Sequence, residues 1–453
     1  MPGISESLVS RFRTNFEADP KNRLAQNVCT VDEPLQFMLK RKTIEQHNHV
    51  FSHKIESEGK PVTNQKSSGR CWIFAVMNCM RLPVMKHFNI EELQLSQNYI
   101  FFWDKIERAH YLLQIFIETA KIGEPADGRL LAHLLHSPSE DGGQWDMLVN
   151  LVEKYGVMPE KCFPDSHSSG STRRMNAILN CKLREFCCKL RQQVEEKATD
   201  EKLQASVAAM MEEIYRIVSI CLGNPPETFT WEYYDKDKKY HKLGPISPTE
   251  FYKQHIKPLY NMQDKICITN DPRPQNSFNK LYTVQYLTNM ADTKTVRYIN
   301  QPPEVLKELA AQSIKNNEAV WFGCDVGQHC TWKKYGIEDL DAFDYELVFG
   351  TSIKNMNKAE RLVYGESMMT HAMVLTAVSE EDGKYTKWRI ENSWGDDGGS
   401  KGYMYMTDDW FSEFVYEVVI DKKFVPQEIQ DVYKQEPIVL PAWDPMGTLA
   451  SKL

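Results

Sequence analysis

The sequence predicts an α+β fold of two lobes, with helices early in the chain and strands late. Two observations predict it. Apolar residues recur at helical spacing in the earlier segments, whereas from residue 319 onward runs of β-branched and aromatic residues stand between turn clusters. The length of 453 residues leaves room for one large domain or two to three ordinary ones. With 42% hydrophobic residues the chain can form a substantial core, which excludes disorder as its main state. Its 54 basic and 62 acidic residues give a net charge of −8, which argues against nucleic-acid binding driven by overall charge.

Residues 1–60 read as a mostly helical extension. Leu8, Val9, Phe12 and Phe16 alternate with Glu6, Arg11, Arg13 and Glu17, an amphipathic helix pattern and not the apolar region of a signal peptide. The segment 61–165 opens on the turn-prone Asn64-Gln-Lys-Ser-Ser-Gly-Arg-Cys71, after which Ile73, Phe74, Met77 and Met80 recur at helical spacing. Cys71 therefore sits at a helix N-terminus. We assign the methionines Met77, Met80 and Met85 to the core, not to a metal or cofactor site. A second loop-to-helix junction follows at Asp141-Gly142-Gly143-Gln144; Trp145, Leu148, Val149 and Val152 mark one face until Gly156 closes the helix.

Helical periodicity dominates 172–223, and 225–298 is mixed and rich in aromatic residues. Strands are expected at 319–326, 370–378, 385–392, 403–406 and 416–420. The longest stretch without a charge, 367–379, spans thirteen residues, short of the ~20 apolar ones of a membrane-spanning helix. The eleven cysteines are odd in number, scattered, and without a C-x-x-C pair; most should be buried free thiols in a reducing compartment.

The late strands carry a geometric consequence. Glu380-Glu381-Asp382-Gly383 is an acidic turn between two apolar runs. Folding about Glu381/Asp382 sets His371 opposite Asn392, and folding about Asp382/Gly383 sets Met373 there, with His371 still close. Either register brings His371 and Asn392 within side-chain reach.

A cysteine at a helix N-terminus and a histidine held by an asparagine are the parts of a thiol nucleophile system. The helix dipole and a neighbouring imidazolium should lower the thiol pKa, so that a thiolate exists at neutral pH. His371 then acts as general acid, and Asn392 fixes its ring. Gln65, with the backbone N–H of Cys71, would form an oxyanion hole, and Trp394 would cover the His–Asn hydrogen bond. Taken singly, each residue has an ordinary reading: a packed thiol, a core histidine, a glycine turn. Their joint occurrence in one order carries the chemistry, and it requires neither metal nor organic cofactor.

Gln65-Lys-Ser-Ser-Gly-Arg-Cys71-Trp72-Ile-Phe resembles the nucleophile segment of papain-like cysteine peptidases, and Thr370-His371-Ala and Glu391-Asn392-Ser393-Trp394-Gly395 resemble their His and Asn segments. Gly142-Gly143 resembles their substrate-backbone strip. His371 follows Cys71 by 300 residues, against about 130 to 150 in such peptidases. The resemblance thus implies a papain-like helical lobe at 61–165, a large, mainly helical insertion at 166–316 serving oligomerisation, a β lobe at 317–430, and an arm at 431–453.

Longer stretches sharpen the resemblance: Gly59-Lys-Pro-Val-Thr-Asn-Gln-Lys-Ser-Ser-Gly-Arg-Cys, Gly223-Asn-Pro-Pro-Glu-Thr-Phe-Thr-Trp, Asn270-Asp-Pro-Arg-Pro and Leu440-Pro-Ala-Trp-Asp-Pro-Met-Gly. Together they are similar to the bleomycin hydrolase family. That likeness implies a cytoplasmic cysteine aminopeptidase assembled as a homohexamer, acting on peptides with a free N-terminus, on the bleomycin amide and on homocysteine thiolactone. It also implies that the C-terminal arm enters the cleft, with Ala450 beside the substrate and Gly142, Gly143 and Trp394 lining it. The tail Met446-Gly-Thr-Leu-Ala-Ser-Lys-Leu453 is somewhat longer than the family pattern, so self-trimming to about Ala450 is expected.

The terminal Ser451-Lys452-Leu453 is also a literal peroxisomal address, an alternative to a cytoplasmic location that burial of the tail would oppose. A thiol endopeptidase or amidase is the rival reading within enzymology, separated from the first by whether N-acetylated peptides are cleaved. A ring-shaped nucleic-acid-binding scaffold is the rival outside it. The lysines at 236, 238, 239 and 242 read as a solvated loop.

Overall fold

The computed structural model describes residues 1–450; the expectations about self-trimming and a peroxisomal address concern 451–453, outside the described residues. Helices and strands divide into two lobes, as the sequence predicts, around one large hydrophobic core, with a small separate cluster of Met38, Ala342 and Phe343.

At its centre lies the helix Cys71–His87. The apolar spacing suggests one buried face, yet residues all round it, from Trp72 to Met85, are buried. Such a helix is a core element with partners on every side, and its apolar sequence allows this. No side chain caps its N-terminus, and Lys86 and His87 stand in the last turn, where cations complement the helix dipole. Helices Gln97–Lys121 and Trp145–Tyr155 complete this lobe, and Gly156 ends the latter at φ 72°, as the sequence indicates.

The β lobe is built on an 11-stranded sheet. Its centre is Val320–Cys324, His371–Glu381, Lys384–Glu391 and Tyr403–Thr407, with Val415–Asp421 on the other side of Val320–Cys324. All five expected strands form, with ends shifted by a few residues. The sheet then continues into Lys265–Thr269, Tyr298–Asn300 and Lys280–Val284. Strands from within 166–316 thus extend the sheet, which the mixed composition of 225–298 did not reveal. Helices Arg173–Glu195 and Asp200–Leu222 pack on Gln97–Lys121.

The hairpin turns at Asp382-Gly383, both with positive φ, and pairs Glu381 with Lys384, the backbone of a two-residue primed turn. One register shift lies between Tyr385 and Lys387 and a second between Arg389 and Ile390; the second restores the register, so Glu391 pairs with Val374. Extending that pairing by one residue places Asn392 opposite Met373. The second of the two sequence-derived registers is the one adopted.

The N-terminal extension forms helices Glu6–Ala18, Pro20–Cys29, Pro34–Met38 and Arg41–Gln46, and then His53–Lys54 pairs with Val378 and Ala377 of the central strand His371–Glu381, beyond the stretch that Val320–Cys324 covers. No helix among the described residues is long and apolar enough to cross a membrane. The lysine cluster 236–242 is exposed around a hairpin turn joining Phe229–Tyr234 to Tyr240–Ile246.

Candidate active site

Three separate stretches converge on Cys71. The first is 63–65, which runs beside 393–395: Gln65 N donates to Ser393 O at 2.7 Å and Gly395 N to Thr63 O at 3.0 Å. This lateral pairing, invisible to local pattern, carries Gln65 to the β lobe. Its side-chain oxygen accepts from Ser393 Oγ at 2.7 Å, and Nε2 donates one N–H to Ser68 O at 2.6 Å. Gln65 is fully buried.

The second stretch is the hairpin. His371 begins one strand and Asn392 follows the other, and His371 Nε2 lies 2.9 Å from Asn392 Oδ1. Asn392 Oδ1 also accepts from Ser393 N at 2.7 Å, so it is the oxygen that faces the ring and Nε2 carries the proton. The other ring nitrogen, Nδ1, is buried without a hydrogen-bond partner among the described residues. Trp394 lies over the imidazole, ring centroids 4.7 Å apart, and shields the His–Asn bond from water.

The third stretch is the C-terminal arm. Ala450 pairs antiparallel with Gly143, and its carbonyl oxygen accepts from Cys71 Sγ at 3.2 Å. Gln144 Nε2 donates to Met446 O at 3.2 Å and Thr448 O at 2.8 Å. The arm therefore occupies the cleft between the lobes, and Cys71, His371 and Ala450 are all without solvent exposure. Gly143 lies against the Trp72 indole: a Cβ there would come within 2.7 Å of three ring atoms.

With this geometry in hand, the comparisons with known proteins are direct. A sequence model of the Peptidase C1-like family matches residues 3–447. The chain is 61% identical to bleomycin hydrolase of Mus musculus over 451 residues, 99% of both chains. It is 42% identical to aminopeptidase C of Listeria monocytogenes over 401 residues, 88% of both. The crystal structure of PepW from Lactobacillus rhamnosis superposes with a TM-score of 0.94 at 42% identity, covering 99% of each chain.

The chain belongs to the Peptidase C1-like family. It is a papain-like cysteine peptidase.

In this peptidase the charge state of the site differs from the sequence expectation of a thiolate. Burial pushes the Cys71 thiol up to about 12, although backbone N–H groups of Ala372 and Trp72 oppose the shift. Burial likewise lowers His371 to about 4, against the opposing effect of its hydrogen bond to Asn392 Oδ1. A neutral thiol beside a neutral imidazole is the stable pair while the arm lies over them, because desolvation outweighs the helix dipole.

Several residues that sequence reasoning passed over hold the peptidase site together. Asp141 accepts from Lys105 Nζ at 2.7 Å, Thr172 Oγ1 at 2.5 Å, Asn176 Nδ2 at 2.7 Å and Gly69 N at 3.2 Å. Burial pushes its carboxyl up, but Lys105 and the two side-chain donors more than offset this and keep it ionised. Asp141 thereby links the loop before Cys71 to the Gly142-Gly143 strip, and Trp72 Nε1 donates to its carbonyl at 2.8 Å. Arg70, fully buried, forks onto Asp165 at 2.7 and 3.1 Å. The one available signal was position: Asp141 and Gln144 flank the glycine pair, and Ser393 follows Asn392.

Proposed function

We propose that the chain is a cysteine aminopeptidase in which Cys71 is the nucleophile, His371 the acid/base, Asn392 the orienting residue, and Gln65 Nε2 with the Cys71 N–H the oxyanion donors. The observation that carries this reading is the arm: Ala450 lies along Gly143 with its carbonyl on the thiol, occupying the cleft as a substrate strand would. The arm fills the side of the cleft that a longer peptide would need, and this favours substrates whose chain begins one residue before the cleaved bond.

When substrate displaces the thiol's contact with Ala450, Cys71 passes its proton to His371 Nδ1, the ring nitrogen left unpartnered. The thiolate attacks the carbonyl carbon, and the tetrahedral oxyanion takes hydrogen bonds from the second Gln65 amide N–H and the Cys71 backbone. His371 returns the proton to the departing amine and the acyl-enzyme forms. Water, deprotonated by the same imidazole, then attacks the thioester; collapse of this second intermediate releases the amino acid and restores the thiol.

The same geometry supports self-trimming after Ala450, since that residue's carbonyl is already beside the sulfur. Hydrolysis of the bleomycin amide is supported by the names of the relatives, and homocysteine thiolactone is the further substrate that the resemblance to that family implies. Eleven free cysteines fit a reducing, cytoplasmic location, and Gly142, Gly143 and Trp394 are the substrate-lining residues. We further propose a homohexamer, formed through the segment 166–316, with its active sites enclosed; a stable monomer in sedimentation would remove that assembly.

The deciding experiment compares a fluorogenic amino-acid amide with its N-acetyl twin, using wild type and Cys71→Ser. Cleavage of the free amine alone, lost in Cys71→Ser, is the expected result; cleavage of both identifies an endopeptidase. Intact masses of the two proteins test the trimming, which Cys71→Ser should abolish.

A further inference from the structure

Two sequence stretches stood out without any chemistry attached to them, Asn270-Asp-Pro-Arg-Pro and Leu440-Pro-Ala-Trp-Asp-Pro-Met-Gly. They meet where Asp444 of the arm touches Arg273. Arg273 forks onto Asp444, Nη1 to Oδ2 at 3.1 Å and Nη2 to Oδ1 at 2.7 Å. Both side chains are less than a tenth exposed.

The fork is aimed before the arm arrives. Asp271 takes Arg273 Nε at 2.9 Å and Nη2 at 2.8 Å, and Asn276 Nδ2 donates to the same carboxylate at 2.6 Å. Asp271 is itself fixed from behind, its N–H on Asn300 Oδ1 at 2.8 Å. A bidentate guanidinium–carboxylate pair constrains direction as well as distance. On the arm side, Asp444 Oδ1 also accepts from Met446 N at 2.9 Å and so shapes the turn Pro445–Gly447. From that turn only two residues, Thr448 and Leu449, separate Gly447 from the Cys71 contact at Ala450. Any rotation of the turn is therefore carried directly to the thiol.

We propose that the Arg273–Asp444 pair is the positioning device that holds the arm in the cleft, and hence that these two residues determine whether the peptidase accepts only free N-termini. The proposal rests on the aminopeptidase reading and adds the element that enforces it. Beside the arm, between the lobes, lies a cavity of about 480 Å³ bordered by Tyr111, His133, Met369, Thr370, Thr448 and Leu449. An arm released at Asp444 would merge its own channel with this space, making room for residues on the N-terminal side of the scissile bond. Other contacts, among them Arg129 over the Trp443 ring at 4.3 Å and the pairing of Ile438–Leu440 with Lys280–Val284, hold the start of the arm. They hold the base in place; Gln144 grips the tip at Met446 O and Thr448 O, and Asp444 sets the turn from which the tip starts.

The test uses full-length Asp444→Asn, which keeps an oxygen for the Met446 N–H and removes the charge, together with Arg273→Lys, which keeps the charge and removes the fork. Each is assayed on the free-amine amide and on an N-acetylated peptide, with hydrogen exchange followed at 441–450 and at 265–269. The expected result is a rise in N-acetylated cleavage of roughly tenfold or more, in proportion to the shifted arm population, with faster exchange confined to 441–450. A merely structural pair would lower both activities and speed exchange in both segments, which overturns the proposal, as would unchanged selectivity in well-folded variants. Wild type that already cleaves the N-acetylated peptide would instead overturn the aminopeptidase reading.

Discussion

Arg81 Nη2 donates to Glu391 Oε1 at 2.7 Å, and both side chains are about 1% exposed. Arg81 lies on the helix that begins at Cys71, and Glu391 immediately precedes Asn392, so this buried pair joins the helix of the proposed nucleophile to the strand that leads into Asn392. Burial raises the Glu391 pKa and Arg81 opposes it. Arg81 also reaches Pro61 O at 2.7 Å and Leu93 O at 3.2 Å, closing the loop that leads to Gln65.

Removing one partner leaves the other charge stranded. Arg81→Ala should lower stability by about 3 to 5 kcal/mol, measured by urea unfolding. The double variant Arg81→Met/Glu391→Leu should recover much of that loss while remaining less active, because the hydrophobic pair no longer fixes the loop before Gln65. Equal destabilisation in single and double variants would disprove the account.

The lowered pKa of His371 makes stability depend on pH. Between its folded value of about 4 and the unfolded value of 6.5, the unfolded chain binds more protons, so stability is complete above 6.5 and is lost as pH falls towards 4. The contribution is about 3 kcal/mol at most. His329, also lowered to about 4 by burial, adds its own slope, as do His49, His133 and His255. The difference between wild type and His371→Gln across this window isolates the His371 share. Cys71 works in the opposite direction: with its folded pKa near 12, stability should fall as pH rises above about 9, where a free thiol ionises.

Gly143→Ala places a methyl within 2.7 Å of the Trp72 ring. The strip must retreat from the indole, and a displacement of this kind at a substrate-aligning strand costs on the order of 100-fold in kcat/KM. We expect that loss on the free-amine substrate with the fold retained, judged by near-ultraviolet circular dichroism.

Ser393 acts through Gln65. Gln65→Ala should reduce kcat by about 100- to 1,000-fold with little change in KM, as expected for a lost oxyanion donor. Ser393→Ala removes the 2.7 Å bond that orients the amide and should give a smaller reduction of the same kind. In the double variant the Ser393 effect should vanish; additive losses would show that Ser393 acts elsewhere.

The reading of Cys71 at a helix start came from turn residues followed by apolar spacing, and the proximity of His371 to Asn392 from an Asp-Gly turn and counting. Both are short-range signals. The hairpin register was legible to within two choices, and the paired shifts at Tyr385/Lys387 and Arg389/Ile390 were not, because they cancel over the length of the strand. The resemblance of the motifs supplied the arm and the insertion, but not the strands at 265–269, 280–284 and 298–300 that join the insertion to the sheet.

The sequence by itself determined which side chains are available for thiol chemistry and which local elements present them, since helix starts and tight turns depend on neighbouring residues. Tertiary structure alone decided that Asp141 and Ser393 bond to the segments around Cys71 and Gln65 and that Arg273 forks onto the arm at Asp444, and that burial keeps the thiol and imidazole neutral beneath Ala450. Desolvation is a property of everything packed around a group, and the segments that bury Cys71 come from positions up to 379 residues away.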